Sequence, residues 1–73
     1  MAKLLISNNI RRLRFNHGEI TQQQLADRVE VSRQTIIAIE KGNYAPSLEL
    51  AFRLALVFEV SLEAVFFVEK STP

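Results

Sequence analysis

Residues 21–46 read TQQQLADRVEVSRQTIIAIEKGNYAP. Two helix-like segments follow one another here with neither Gly nor Pro between them. Counted from Gln22, buried-type residues occupy places 4, 5, 8, 10, 15 and 18: Leu25, Ala26, Val29, Val31, Ile36 and Ile39. This spacing puts Leu25, Ala26 and Val29 on one face of a first helix and Ile36 and Ile39 on one face of a second. Val31 falls in the corner between them. Ala26 is small where the second helix has to cross closely. The pattern therefore demands two short helices locked at a fixed angle.

That pattern is the helix-turn-helix, a corner that presents the first turn of its second helix as one rigid unit. The outward residues of that turn are Arg33, Gln34 and Thr35, with Ala38 one turn on. Arg can bind guanine O6 and N7 with two hydrogen bonds, and Gln can bind adenine N6 and N7. Thr can donate, accept or lay its methyl on a thymine methyl, and Ala offers only apolar contact. A solvated polar helix face would look the same residue by residue. The six packing positions around it favour base contact. Gln22, at the start of the first helix, suits a phosphate. Ser32 either bonds a phosphate or merely caps its helix. Asn43 and Tyr44 follow in an exposed turn and suit phosphate or sugar contact, although Tyr44 could also cover the core. Glu40 pairs with an arginine of a preceding helix, Arg14 or Arg11.

The remaining elements are short. Lys3–Ile6 is strand-like. Ser7 or Asn8 can cap a first helix, with Ile6, Ile10 and Leu13 on one face and Gly18 at its end. Thr21 with Gln24 forms a capping box for the second helix, and Ser32 caps the third. Lys41 and Gly42 suit a helix end. Pro46-Ser47 opens a fourth helix, with Leu48, Ala51, Phe52, Ala55, Leu56 and Phe58 facing inward. Ser61 caps a single turn, LEAV. A strand follows at about residues 65–69. The expected architecture is mainly α: four helices plus one turn, in a single domain over residues 1–73, with the helix-turn-helix at 22–41. The two strand-prone ends can pair as a short antiparallel sheet. Such a sheet is marginal alone. Doubling it across a two-fold axis through Leu5, Phe66, Phe67 and Val68 would close its edge and make a homodimer. Alternatively both Phe side chains close the monomer core.

Composition excludes several function classes. With 48% apolar residues in 73, the chain is neither disordered nor large enough for more than one core. Its longest apolar-rich stretch, residues 51–68, is broken by Arg53, Glu59 and Glu63, so no membrane span is expected. The N-terminal MAKLLISNNIRRLR lacks a cleavage-site pattern and reads as structure rather than a signal peptide, with the cytoplasm as the expected location. There is no cysteine, one histidine (His17) and no glycine-rich phosphate loop. No metal site, cofactor, small-molecule ligand or catalytic group is expected. Net charge is only +1, but residues 1–14 hold four basic and no acidic side chains, whereas residues 47–73 hold four acidic and two basic. This asymmetry fits one face turned toward a polyanion, against the plainer reading of scattered solubilising charge. The rival function is a protein-interaction module, such as an antitoxin or partner-binding regulator, with VFFVEK as its docking surface.

The motif SRQTI-x-x-IEKG-x-Y-x-PSL, within residues 9–70, resembles the Cro/repressor-like regulators of the XRE family, and more narrowly its small dimeric cytolysin-repressor-like group. The resemblance implies a lambda-repressor-like five-helix domain extended by a small antiparallel sheet. It also implies a homodimer acting on double-stranded DNA in a prokaryotic cytoplasm, with no cofactor. By position it carries phosphate contact onto Gln22, Ser32, Asn43 and Tyr44, and base contact onto Arg33, Gln34 and Thr35. Two departures stand out. Glu30 and Glu59 occupy places usually held by Gly, which costs about 1 kcal/mol each if the backbone is left-handed there. The loop HGEI is one residue longer than in the shortest members, which bears on how Arg14 reaches Glu40.

Overall fold

The computed structural model describes residues 3–72; Met1, Ala2 and Pro73 of the expected domain span lie outside the described residues. In chain order the elements are β1 (Lys3–Asn8), α1 (Ile10–Asn16), α2 (Gln22–Arg28), α3 (Arg33–Glu40), α4 (Leu48–Phe58), α5 (Leu62–Val65) and β2 (Phe66–Thr72). The architecture is mainly helical, with one two-stranded sheet. β1 and β2 pair antiparallel, with Lys3 opposite Thr72 and Asn8 opposite Phe66.

Side-chain caps start four of the helices. Thr21 accepts from the Gln24 amide at 3.0 Å while Gln24 accepts from the Thr21 amide at 2.8 Å, so the capping box is present. Ser32, Ser47 and Ser61 accept from the amides of Thr35, Leu50 and Ala64. Helix α1 starts differently. Ser7 and Asn8 belong to β1, and the N-cap is Asn9, which makes no side-chain cap bond. Asn8 instead accepts from the Ile10 amide at 3.2 Å and donates to the Ile39 carbonyl at 3.0 Å. The amide and side chain of Asn9 donate to Val65 and Ala64 carbonyls. The strand thus runs two residues further than expected, because the two asparagines tie it to the ends of α3 and α5. Ile6, expected beside Ile10, lies in β1 and is exposed.

The core is a single cluster that includes Ile10, Leu25, Ala26, Val29, Ile36, Ile39, Leu54, Phe58 and Val65. Helix α4 corrects the expected faces. Leu50, Ala51, Leu54, Ala55 and Phe58 are buried, whereas Leu48, Phe52 and Leu56 are 69%, 48% and 75% exposed. This helix is apolar nearly all round, so periodicity alone cannot tell its two stripes apart. Packing selects the one carrying Leu50 and Leu54; Ala51, Ala55 and Phe58 were expected inward and are buried. Val65 ends α5 and is buried, so the C-terminal strand begins at Phe66 rather than 65.

Three helix ends share one closure. After α2, the Val31 amide reaches the Ala26 carbonyl (3.0 Å) and Glu30 reaches Asp27. After α3, Asn43 reaches Ala38 (2.9 Å) and Gly42 reaches Ile39. After α4, Val60 reaches Ala55 (3.1 Å) and Glu59 reaches Leu56. This double-bonded closure needs a left-handed residue. Gly42 supplies it at φ 79°, but Glu30 and Glu59 supply it at 59° and 55°. The left-handed backbone anticipated at both glutamates is therefore present, and the strain with it. Glu30 accepts from Arg53 at 3.2 Å, which ties the α2–α3 corner to α4.

Candidate nucleic-acid interface

Helix α3 owes its orientation to three anchors. Ile36 and Ile39 are fully buried on one side. Asn8 holds the Ile39 carbonyl at its end. Glu40 accepts two bonds from Arg14, Nε at 2.8 Å and Nη2 at 3.2 Å, while Arg14 Nη1 donates to the Ile20 carbonyl at 3.1 Å. Arg14, rather than Arg11, is thus the partner of Glu40, and the longer HGEI loop does not prevent it. The pair is largely sheltered, with 13% and 10% side-chain exposure. Such a fork fixes geometry as well as contributing energy.

Gln22 joins the same network by donating its Nε2 to Glu40 Oε1 at 3.2 Å. One N–H of that amide and the carbonyl oxygen remain to serve other partners. Its backbone amide, at the first position of α2, has no intrahelical acceptor.

Arg33 and Gln34 are exposed on the first turn of α3, and Thr35 and Ala38 are half-buried. They share one helix but not one direction, because each residue turns the helix by about 100°. With Ile36 and Ile39 inward, Gln34, Ile37, Ala38 and Lys41 lie nearest the outward line. Arg33 flanks it toward α1. Thr35 flanks it on the other side, beside Tyr44 and Ser47 in a shallow hollow of about 300 Å³. The Thr35 hydroxyl is 3.0 Å from that of Ser32. Ser32 caps the helix and is also exposed, so capping and phosphate contact are compatible. Asn43 and Tyr44 are exposed in the turn after α3.

A concavity of about 960 Å³ lies open between α1, the start of α2 and α3. Its wall includes Arg11, Arg14, Arg33 and Lys41 against Glu19 and Glu40. Arg14 and Glu40 neutralise each other. Among the described residues Arg11, Arg33 and Lys41 have no carboxylate within ion-pair distance. The groove is therefore net positive, although the whole chain carries only +1. Arg11 and Lys41, along with Ile37, which reads as an inward residue from its apolarity alone, were not expected at this surface. The basic character of residues 1–14, read only as a face turned toward a polyanion, is the signal that could have placed Arg11 here.

On the sheet, Leu5, Phe67 and Val68 are exposed, whereas Phe66 is half-buried and packs against the core. Of the two phenylalanines, then, only Phe66 closes the monomer. Among the described residues, no helix is long and apolar enough to cross a membrane, and no cluster of three metal-ligating side chains occurs.

A family model described as Helix-turn-helix matches residues 10–65. The chain is similar to an uncharacterized HTH-type transcriptional regulator of Methanocaldococcus jannaschii, 50% identical over 64 residues that cover 88% of this chain and 96% of that protein. It is 42% identical over 65 residues to the uncharacterized HTH-type transcriptional regulator YgzD of Bacillus subtilis, covering 89% of this chain and 97% of that one. An uncharacterized HTH-type transcriptional regulator of Archaeoglobus fulgidus is 49% identical over 55 residues, covering 75% and 73%.

Proposed function

Since the chain belongs to the XRE-like family of helix-turn-helix regulators, we propose that it is a repressor that binds a pseudo-palindromic operator as a homodimer. DNA-binding regulation follows from the family; the operator, the dimer and the sign of action are the proposal. The observation that carries it is the first turn of α3, where exposed Arg33 and Gln34 are held by a rigid corner beside a positive groove.

In this reading α3 enters the major groove. Arg33, Gln34, Thr35 and Ala38 meet base edges, and Gln22, Ser32, Asn43 and Tyr44 meet the backbone. Glu40 touches no DNA; it orients Arg14 and Gln22. Two protomers joined through Leu5, Phe67 and Val68, with Phe66 supporting the strand from beneath, set their α3 helices about 34 Å apart on successive major grooves. Binding then excludes polymerase from an overlapping promoter. No cofactor or small-molecule ligand takes part, and the protein works in the cytoplasm. The small net charge keeps non-specific affinity weak, so specificity rests on a few base contacts and on DNA shape.

Arg33→Ala tests this reading. It should cost about 1–3 kcal/mol on the operator and relax preference at one position. Equal losses on operator and random DNA would mean that Arg33 only neutralises phosphate. A second reading, a protein-interaction module, draws on the exposed apolar residues Leu5, Ile6, Phe67 and Val68. It predicts no salt-dependent DNA binding.

A further inference from the structure

We propose that Ile37 is a specificity residue that reads the C5-methyl group of a thymine; this rests on the DNA-binding reading above. Three neighbours on α3 are isoleucines, but they are not equivalent. Ile36 and Ile39 are 0% and 1% exposed and belong to the core. Ile37 is only half-buried and is not part of that cluster. It lines the basic groove instead, with Arg33 one turn before it and Lys41 one turn after. These three form an i, i+4, i+8 row along the helix. A row with a cation at each end and a branched apolar side chain between them suits a polyanion whose floor offers an apolar spot.

Ile37 has neither donor nor acceptor. Among the base edges exposed in a major groove, only thymine presents a methyl group. The site would therefore separate thymine from cytosine by packing, not by hydrogen bonding. A 5-methylcytosine would present the same methyl. Ala38, also on the outward side, is the competing candidate for such a contact, and its single methyl reaches less far.

The test uses the full chain and the operator selected from random DNA by the wild-type protein. Each thymine of one half-site is replaced in turn by deoxyuridine, which removes only the methyl. Wild type should lose affinity about fourfold at one position, the value of one buried methyl. Ile37→Ala should bind the thymine and uracil forms equally while keeping the preferences set by Arg33 and Gln34. Ala38→Gly, which removes a proposed base contact, should bind more weakly overall but keep the uracil penalty at the position that Ile37 reads. Because Ile37 is outside the core, Ile37→Ala should melt within a few degrees of wild type (on the order of the shifts typical of surface changes). Should it unfold, Ile37→Gln, a good helix former, is scored on the thymine-to-uracil ratio alone, because its amide can add a base contact of its own. Absence of any uracil penalty in wild type, its persistence in both Ile37 variants, or its loss in Ala38→Gly would overturn the assignment. Failure of wild type to select an operator at all would instead overturn the reading on which it rests.

Discussion

Replacing Glu59 by Gly should make the protein more stable. Glu59 sits at φ 55°, ψ 42° after α4, in the left-handed region. A side chain there crowds the following carbonyl and costs about 1–2 kcal/mol. Glycine removes that cost but frees the unfolded chain, which offsets about 0.4–1 kcal/mol. The carboxylate makes little contribution of its own. It is 84% exposed and lies 3.9 Å from His17 Nε2, too far for a hydrogen bond. It also stands at a helix C-terminus, where negative charge is unfavourable by a few tenths of a kcal/mol. The expected net gain is about 0.5–1 kcal/mol, a rise in Tm of about 3–6 °C for a domain of this size. Thermal unfolding followed by circular dichroism, at two protein concentrations, measures it. Glu59→Gln and Glu59→Ala separate the causes: both remove the charge and keep the Cβ. They should gain only the few tenths that belong to the helix dipole. If either matches the glycine variant, charge rather than backbone strain explains the effect. A glycine variant that melts lower than wild type would refute the reasoning outright.

Glu30→Gly should gain less than Glu59→Gly in the same assay, because it also removes the bond from Arg53 that ties the corner to α4. Glu40→Ala should cost about 2–3 kcal/mol in urea unfolding, since it leaves the sheltered Arg14 guanidinium without its two charged bonds. Arg11→Ala should weaken operator and random DNA alike and lower the slope of log affinity against log salt by about one, as the loss of one phosphate contact does; an unchanged slope would remove Arg11 from the interface. Phe67→Asp should halve the mass measured by sedimentation equilibrium with little change in monomer fold, because Phe67 is exposed in the monomer. Phe66→Asp would be a poorer probe, as Phe66 packs on the core.

What could be read from sequence was mostly what is decided locally. Thr21 with Gln24, and Ser32, Ser47 and Ser61, cap their helices through bonds that span three residues, so spacing alone identifies them. The six corner positions were legible because their spacing is that of two short helices packed across a corner. Helix α4 has only Glu49 and Arg53 as a polar edge, and the neighbours that cover Leu50 and Leu54 decide between its apolar faces. The extent of β1 depends on bonds from Asn8 and Asn9 to residues 31 and 55 places away, which no local pattern records. The pairing of the two strands was legible in outline, but its register was not. That register shifts between Leu5 and Ile6, leaving Glu69 as an extra residue opposite them, where Ser7 donates to it at 2.7 Å. Within the candidate interface, the polar turn of α3 was visible in the sequence. Ile37 was not, because an isoleucine among isoleucines looks like core until its surroundings are known.

In the proposed function, α3 reads DNA sequence from a two-fold assembly. The most direct test is selection from a randomised duplex pool at two salt concentrations, followed by sequencing of the bound fraction. The expected result is enrichment of a two-fold symmetric site with half-sites about one helical turn apart, bound less tightly at the higher salt. A folded protein that enriches no sequence would contradict it and direct attention to the exposed strand residues Phe67 and Val68 as a surface for a protein partner.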